Sequence, residues 1–171
     1  MMSNILTHER LKELLHYDAD TGIFTRISSP RQFRIGVIKT TADGINGYFQ
    51  IGLLDKLYKS HRLAWFYVHG EWPTNQLDHI NRDKIDNRLV NLREATRAEN
   101  KKNVIAQKNN TSGYKGVSYF KRRRKWVAQI CTNGKRTYLG CYTTAAEASR
   151  AYESAAKLHH GNFYYNHLEA A

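Results

Sequence analysis

The sequence predicts an α+β fold in two modules. Three observations carry that expectation. Apolar residues change period along the chain, from helical spacing to short β-branched or aromatic runs and back. Asn133-Gly134, a strong type I′ hairpin signal, joins two alternating runs and is followed by an Ala-rich stretch. Between the halves, 106–112 has the Gln, Lys, Asn, Thr and Ser composition of a linker. The boundaries expected are 1–103 for the first module, 104–112 for the linker and 113–171 for the second module.

Each element has a local reason. Thr7 is placed as an N-cap, and Leu11, Leu14 and Leu15 recur at helical spacing, so 8–16 reads as a short amphipathic helix. Gly and Asp then punctuate strand candidates at 22–27, 35–40 and 47–54. Asp55-Lys56 is the expected turn into a return strand, Leu57–Ser60. Residues 61–70 put Leu63, Ala64, Phe66 and Tyr67 on one helical face, with Gly70 as the C-terminal cap. Next come a short strand at 77–80, a polar turn Asn81–Asn87, a second strand or extended segment at 88–93 and a helix predicted over Glu94–Asn103. Beyond the linker, 113–120, 125–132 and 135–142 alternate as three antiparallel strands. Thr144 caps the closing helix, whose Ala145, Ala148, Ala151, Tyr152 and Ala155 let it lie close on the sheet.

Charge narrows the partners. The chain of 171 residues carries 27 Lys and Arg against 15 Asp and Glu, a net of +12, which favours polyanions. The surplus is uneven, +4 over residues 1–103 and +8 over 104–171. Asn100–Ala146 has no acidic residue and eleven basic ones, five of them in the run Lys121–Lys125. Aromatic residues interleave with that run, which reads as a phosphate-tracking surface. The absence of a long apolar run argues against a membrane span, and the polar N-terminus lacks a signal peptide's apolar region, so a cytoplasmic site of action is expected. Cys131 and Cys141 are too few for a disulfide framework, and without a C-x-x-C no structural zinc is expected; both cysteines read as buried small residues.

The chemistry concentrates in 76–103. Asp78 offers an anionic hard oxygen and Asn100 a neutral one, a pair suited to one Mg²⁺ or Mn²⁺ ion. His79 has the proton affinity to accept a proton from an attacking water. Asn91 can bond across the loop or hold the imidazole in aim, with Asn87 the competing candidate for that central asparagine. Asp, His and Asn are also ordinary residues of polar turns, and Asp83, Asp86 and Asn87 read first as such. His61, at a helix start, reads as a packing or capping residue.

Two resemblances bear on these readings. HRLAW, DHI, DNR, NLR and ATRAEN, in order within 58–103, resemble the HNH endonucleases of phages and mobile introns, which use a ββα-metal site. The resemblance implies an N-terminal β-rich extension followed by that module. It makes His79 and Asn91 the catalytic pair, His79 the general base and Asn91 structural, with Asp78 and Asn100 the metal ligands. Asn100 stands where many such enzymes have a third His. Within 113–166, GYKGV, WVAQI, YLGCY, TAAEASRAYESAAKLHHG and NFYYN are similar to the Apetala-type, ethylene-response-factor DNA-binding domain. That implies contacts to double-stranded DNA from Lys115, Ser118, Tyr119, Arg122, Arg123, Arg124, Lys125, Trp126, Gln129, Lys135, Arg136 and Tyr138. Ser118 and Phe120 stand where the plant factors usually carry Arg, and Gln129 where they carry Glu, so the plant target sequence is not implied. The expected whole is a metal-dependent homing endonuclease of a host bacterial cytoplasm, monomeric on DNA and with one catalytic set per chain. The alternative is a DNA-binding regulator with an inactive HNH module.

Overall fold

A computed structural model describes residues 5–28, 35–38, 47–104, 110–132 and 134–164. It mixes helix and strand as expected, in two compact units, Met1–Thr96 and Arg97–Ala171.

In the first unit Thr7 caps helix α1 (His8–Leu14), its hydroxyl oxygen accepting from the Arg10 N–H at 3.2 Å. Helix α1 buries Leu11 and Leu14 and runs directly into β1 (Leu15–Tyr17). Strand β2 (Phe24–Arg26) pairs antiparallel with β1 on one side and with β3 (Gly36–Val37) on the other. Residues 39 and 40 of the predicted second run lie outside the described residues. A separate hairpin joins β4 (Gln50–Leu53) to β5 (Lys56–Lys59). Its turn is Leu54-Asp55, one residue earlier than predicted, with both φ values positive at 48° and 63°. That is the two-residue geometry matching strand twist, and Leu53 facing Lys56 fixes the register.

Helix α2 (Ser60–His69) follows without a break and ends at Gly70, whose φ of 77° lets its N–H bond the Phe66 carbonyl. Leu63, Ala64 and Phe66 of α2 join Leu11, Leu14, Leu15, Phe24 and Ile51 in one apolar core. Strand β6 (Gln76–His79) pairs antiparallel with β7 (Leu92–Ala95), preceded by a 3₁₀ turn at Leu89–Asn91. The helix predicted from Glu94 is shorter. Glu94 and Ala95 belong to β7, opposite Leu77 and Gln76, and α3 spans only Arg97–Asn100. Strand pairing overrides the helix propensity of Glu94 and Ala95, and the Glu94 carboxylate accepts from the Thr74 hydroxyl and the Asn75 N–H.

The second unit is an antiparallel sheet in the order β10-β9-β8, made of β8 (Val117–Phe120), β9 (Lys125–Thr132) and β10 (Lys135–Tyr142). Helix α4 (Ala145–His160) starts with a capping box of Thr144 and Glu147. Ala148, Tyr152 and Ala156 pack on Val117, Ala128 and Ile130. Gly116 is required there: a Cβ would meet the Tyr152 ring at 2.1 Å, and its φ is 71°. Asn133 lies outside the described residues, while Gly134 has the positive φ, 78°, that a type I′ turn demands. The cysteines depart from expectation, Cys131 being exposed and Cys141 half-buried. Ala128 and Ile130 take the helix side of β9, so alternation turns Cys131 to the open face. Among the described residues no helix is long and apolar enough to cross a membrane.

Candidate functional site

His79 is the last residue of β6, and Asp78 precedes it on the other face of the strand. Both are buried. Register places Arg93 directly across from Asp78, and the guanidinium donates to Asp78 Oδ2 from Nε at 2.9 Å and from Nη2 at 2.7 Å. His79 Nε2 lies 3.2 Å from Asn87 Oδ1. A carbonyl oxygen only accepts, so Nε2 carries the proton and Nδ1 keeps the lone pair. Burial is the main reason that the His79 proton affinity lies below the ordinary value; Asn87 and the carboxylates of Asp78, Asp86 and Asp83 oppose it.

The loop after His79 is stapled by Asn91. Its Oδ1 accepts from the Asn81 N–H at 2.9 Å, and its Nδ2 donates to Asn81 Oδ1 at 2.9 Å and to the Asp86 carbonyl at 2.8 Å. Its own carbonyl accepts from the Ile80 N–H at 2.9 Å. The two central asparagines thus have different partners: Asn91 closes the loop and Asn87 meets the imidazole. Asp86 is held as a turn residue by Arg88, whose Nε and Nη2 lie 2.8 and 2.6 Å away; that pairing lowers its carboxyl to about 2.

Asn87 is set in place from the first hairpin of the chain. The Tyr17 hydroxyl donates to the Asn87 carbonyl at 2.7 Å, and the Leu89 N–H bonds the Ala19 carbonyl at 3.1 Å. Gly22, with φ of 73°, permits the approach: a Cβ there would sit 2.5 Å from Arg88 N and 2.6 Å from the Asn87 carbonyl carbon.

An aromatic wall stands beside the imidazole. The His61 ring meets His79 edge to face at 5.1 Å, and Tyr48 lies 4.9 Å from His61 and 6.0 Å from His79. His61 packs rather than caps, because α2 has no side-chain cap bond at its start. Burial lowers the His61 proton affinity to about 3, with His79, Lys59 and Arg62 adding to the shift.

Asn100 falls at the end of α3, within the second unit, where its carbonyl accepts from the Asn103 N–H at 3.2 Å. Among the described residues no three His, Cys, Asp or Glu side chains gather into a metal-holding group. Sequence reasoning missed Arg93, Tyr17, Gly22 and Tyr48, and placed Asn87 first among turn residues. Only Arg93 left a signal, through the β6–β7 register.

In the second unit, register and alternation sort the predicted DNA-binding residues by face. Ser118, Lys125, Gln129, Arg136 and Tyr138 share the open face with Phe120. Tyr119, Trp126 and Lys135 fall on the helix side, Trp126 packed against the core and 4.9 Å from Tyr119. Arg122, Arg123 and Arg124 form the exposed β8–β9 turn, with Arg124 at a φ of 50°. The Lys115 ammonium instead donates to the carbonyls of Lys101, Lys102 and Val104, at 3.3, 2.6 and 2.8 Å.

Comparison with known proteins finds relatives for both segments. Residues 58–102 match the HNH endonuclease family and residues 112–162 the AP2 domain. Protein 3.8 of Escherichia phage T7 is 35% identical over 82 residues, which cover 47% of this chain and 68% of that protein. An AP2-like ethylene-responsive transcription factor of Arabidopsis thaliana is 39% identical over 56 residues, 33% of this chain and 12% of that protein. An APETALA2-like protein 2 of Oryza sativa is also 39% identical over 56 residues, and the match spans 13% of it. No solved structure matches the chain. With His79 held between Asn87 and an aromatic wall in the first matched segment and a sheet backed by α4 in the second, the chain belongs to the HNH endonuclease family and carries an AP2 domain after its nuclease segment.

Proposed function

We propose that the chain is a metal-dependent DNA endonuclease that hydrolyses phosphodiester bonds, and that the open sheet face of the second unit holds the duplex. The carrying observation is the His79 Nε2 contact with Asn87 Oδ1 at 3.2 Å. It fixes the tautomer with Nδ1 as the basic nitrogen, and burial keeps the ring unprotonated at neutral pH. His79 Nδ1 takes a proton from the attacking water, while Asn91 holds the loop closed and Asn87 holds the ring. Asp78 suits a hard divalent ion that keeps most of its waters, because it is a buried carboxylate steadied by Arg93. When bound, Mg²⁺ or Mn²⁺ supplies positive charge for the phosphate and the leaving oxygen. Ser118, Lys125, Gln129, Arg136, Tyr138 and the Arg122–Arg124 turn are proposed to meet double-stranded DNA, most of them through phosphates. Tyr119, Trp126 and Lys135 support that surface from the helix side. One catalytic set per chain fits a nick by a monomer on DNA.

His79→Ala, incubated with supercoiled plasmid and Mg²⁺ or Mn²⁺, is expected to produce no nicked or linear product while binding DNA as the native chain does. Retained cleavage overturns the assignment. A second reading, a DNA-binding regulator with an inactive nuclease segment, draws on the Asp78–Arg93 ion pair, which engages the carboxylate with a guanidinium. Metal-dependent nicking by the native chain excludes it.

A further inference from the structure

We propose that Lys59, Lys84 and Tyr48 form a phosphate clamp in the first unit that takes adjacent backbone phosphates of the DNA strand beside His79, one for each lysine. The inference rests on the endonuclease reading above and gives the nuclease segment its own grip on the strand, separate from the sheet of the second unit. The Lys59 ammonium lies 4.6 Å and the Lys84 ammonium 5.0 Å from the centroid of the Tyr48 ring. The two charges are therefore no more than about 10 Å apart, roughly a Debye length at 0.1 M salt, so they repel each other. Weak cation–π attraction to Tyr48 holds them there. The same ring lies 6.0 Å from His79, so the ring that carries both cations also borders the candidate base.

Three carboxylates of the site are engaged with other groups. Asp78 pairs with Arg93, Asp86 pairs with Arg88 and bonds Asn81, and Asp83 accepts from the Ile85 N–H. Lys59 has no carboxylate partner among the described residues. Positive potential also reaches the buried histidine pair, since Lys59 and Arg62 both disfavour protonation of His61. The Nδ1 of His61 is buried without a hydrogen-bond partner, and the residue is only 5% exposed. Two like charges held around one aromatic ring that borders a candidate nuclease histidine match the chemistry of a single strand's phosphates better than that of a neutral ligand.

The test uses the full chain. Duplex binding is measured without divalent metal over a range of salt, and cleavage kinetics are measured with Mg²⁺ or Mn²⁺. Lys59→Gln and Lys84→Gln should each reduce the slope of log affinity against log salt by about one, and the double variant should raise KM by about tenfold. Lys59→Arg and Lys84→Arg should restore both, while Lys12→Gln on α1 should change neither. Unchanged salt slope and KM in the folded Gln variants overturn the proposal and leave the lysines as packing on Tyr48. Lys84 is exposed, so Lys84→Gln carries the test by itself if Lys59→Gln fails to fold. A native chain that binds but never cuts DNA defeats the endonuclease reading, and the salt slope still judges the clamp.

Discussion

His61 sits between Tyr48 and His79 with its proton affinity lowered from 6.5 to about 3, mainly by burial. Below about pH 6.5 the unfolded chain therefore binds a proton that the folded first unit excludes. The sign follows from linkage: a depressed histidine contributes stability that is complete above the unfolded value and is lost on acidification through the window down to about 3. His79, lowered for the same reason, adds to that loss in the first unit, and His160, at about 4, acts in the second. His61→Phe keeps a ring against Tyr48 and removes the titrating group. Its melting temperature should fall less steeply with acidification from about pH 6.5 than that of the native chain. Parallel curves for the two proteins would show that His61 is solvated in the folded state.

Elements place Asn87, which the sequence offers only as the competing candidate for the central asparagine. Gly22 turns the β1–β2 hairpin so closely under residues 87 and 88 that an added methyl would meet backbone at 2.5 and 2.6 Å. Gly22→Ala should destabilise the chain by on the order of 2 kcal/mol or more, through both the clash and the strain at positive φ. Denaturant unfolding gives that number, and single-turnover cleavage should fall further than the folded fraction because Asn87 is displaced from His79. Much else in these elements could be read from residues alone. Strands β9 and β10 begin and end where alternation and Asn133-Gly134 put them, and Thr7, Gly70 and Thr144 bound their helices as capping chemistry requires. Glu94 and Ala95 misled because local helix propensity yields to pairing with Leu77 and Gln76, which is nonlocal. In the site, Asp78, His79 and Asn91 stood out by residue type and spacing. The Asn87 contact did not, since its acceptor lies eight residues from His79 across a loop and its anchor, Tyr17, seventy residues away.

At the scale of the whole chain the net charge of +12 sets the physics of association. Division at Thr96 sharpens the asymmetry seen in the sequence, leaving 14 basic and 4 acidic residues in the second unit. If six or more phosphates are neutralised, duplex affinity should drop by about 10³-fold or more between 50 and 200 mM salt. A salt titration of the full chain measures this, and a flat response would remove phosphate contact as the main source of affinity. The family match begins at residue 58, yet the imidazole's partner is anchored by Tyr17, Ala19 and Gly22. A fragment trimmed to the matched segment would keep every residue of the HNH signature in the first unit and lose the scaffold that aims one of them. If the proposed cleavage holds, the smallest piece able to cut is larger than its signature, and grafting the signature onto another protein would transplant the residues without their alignment.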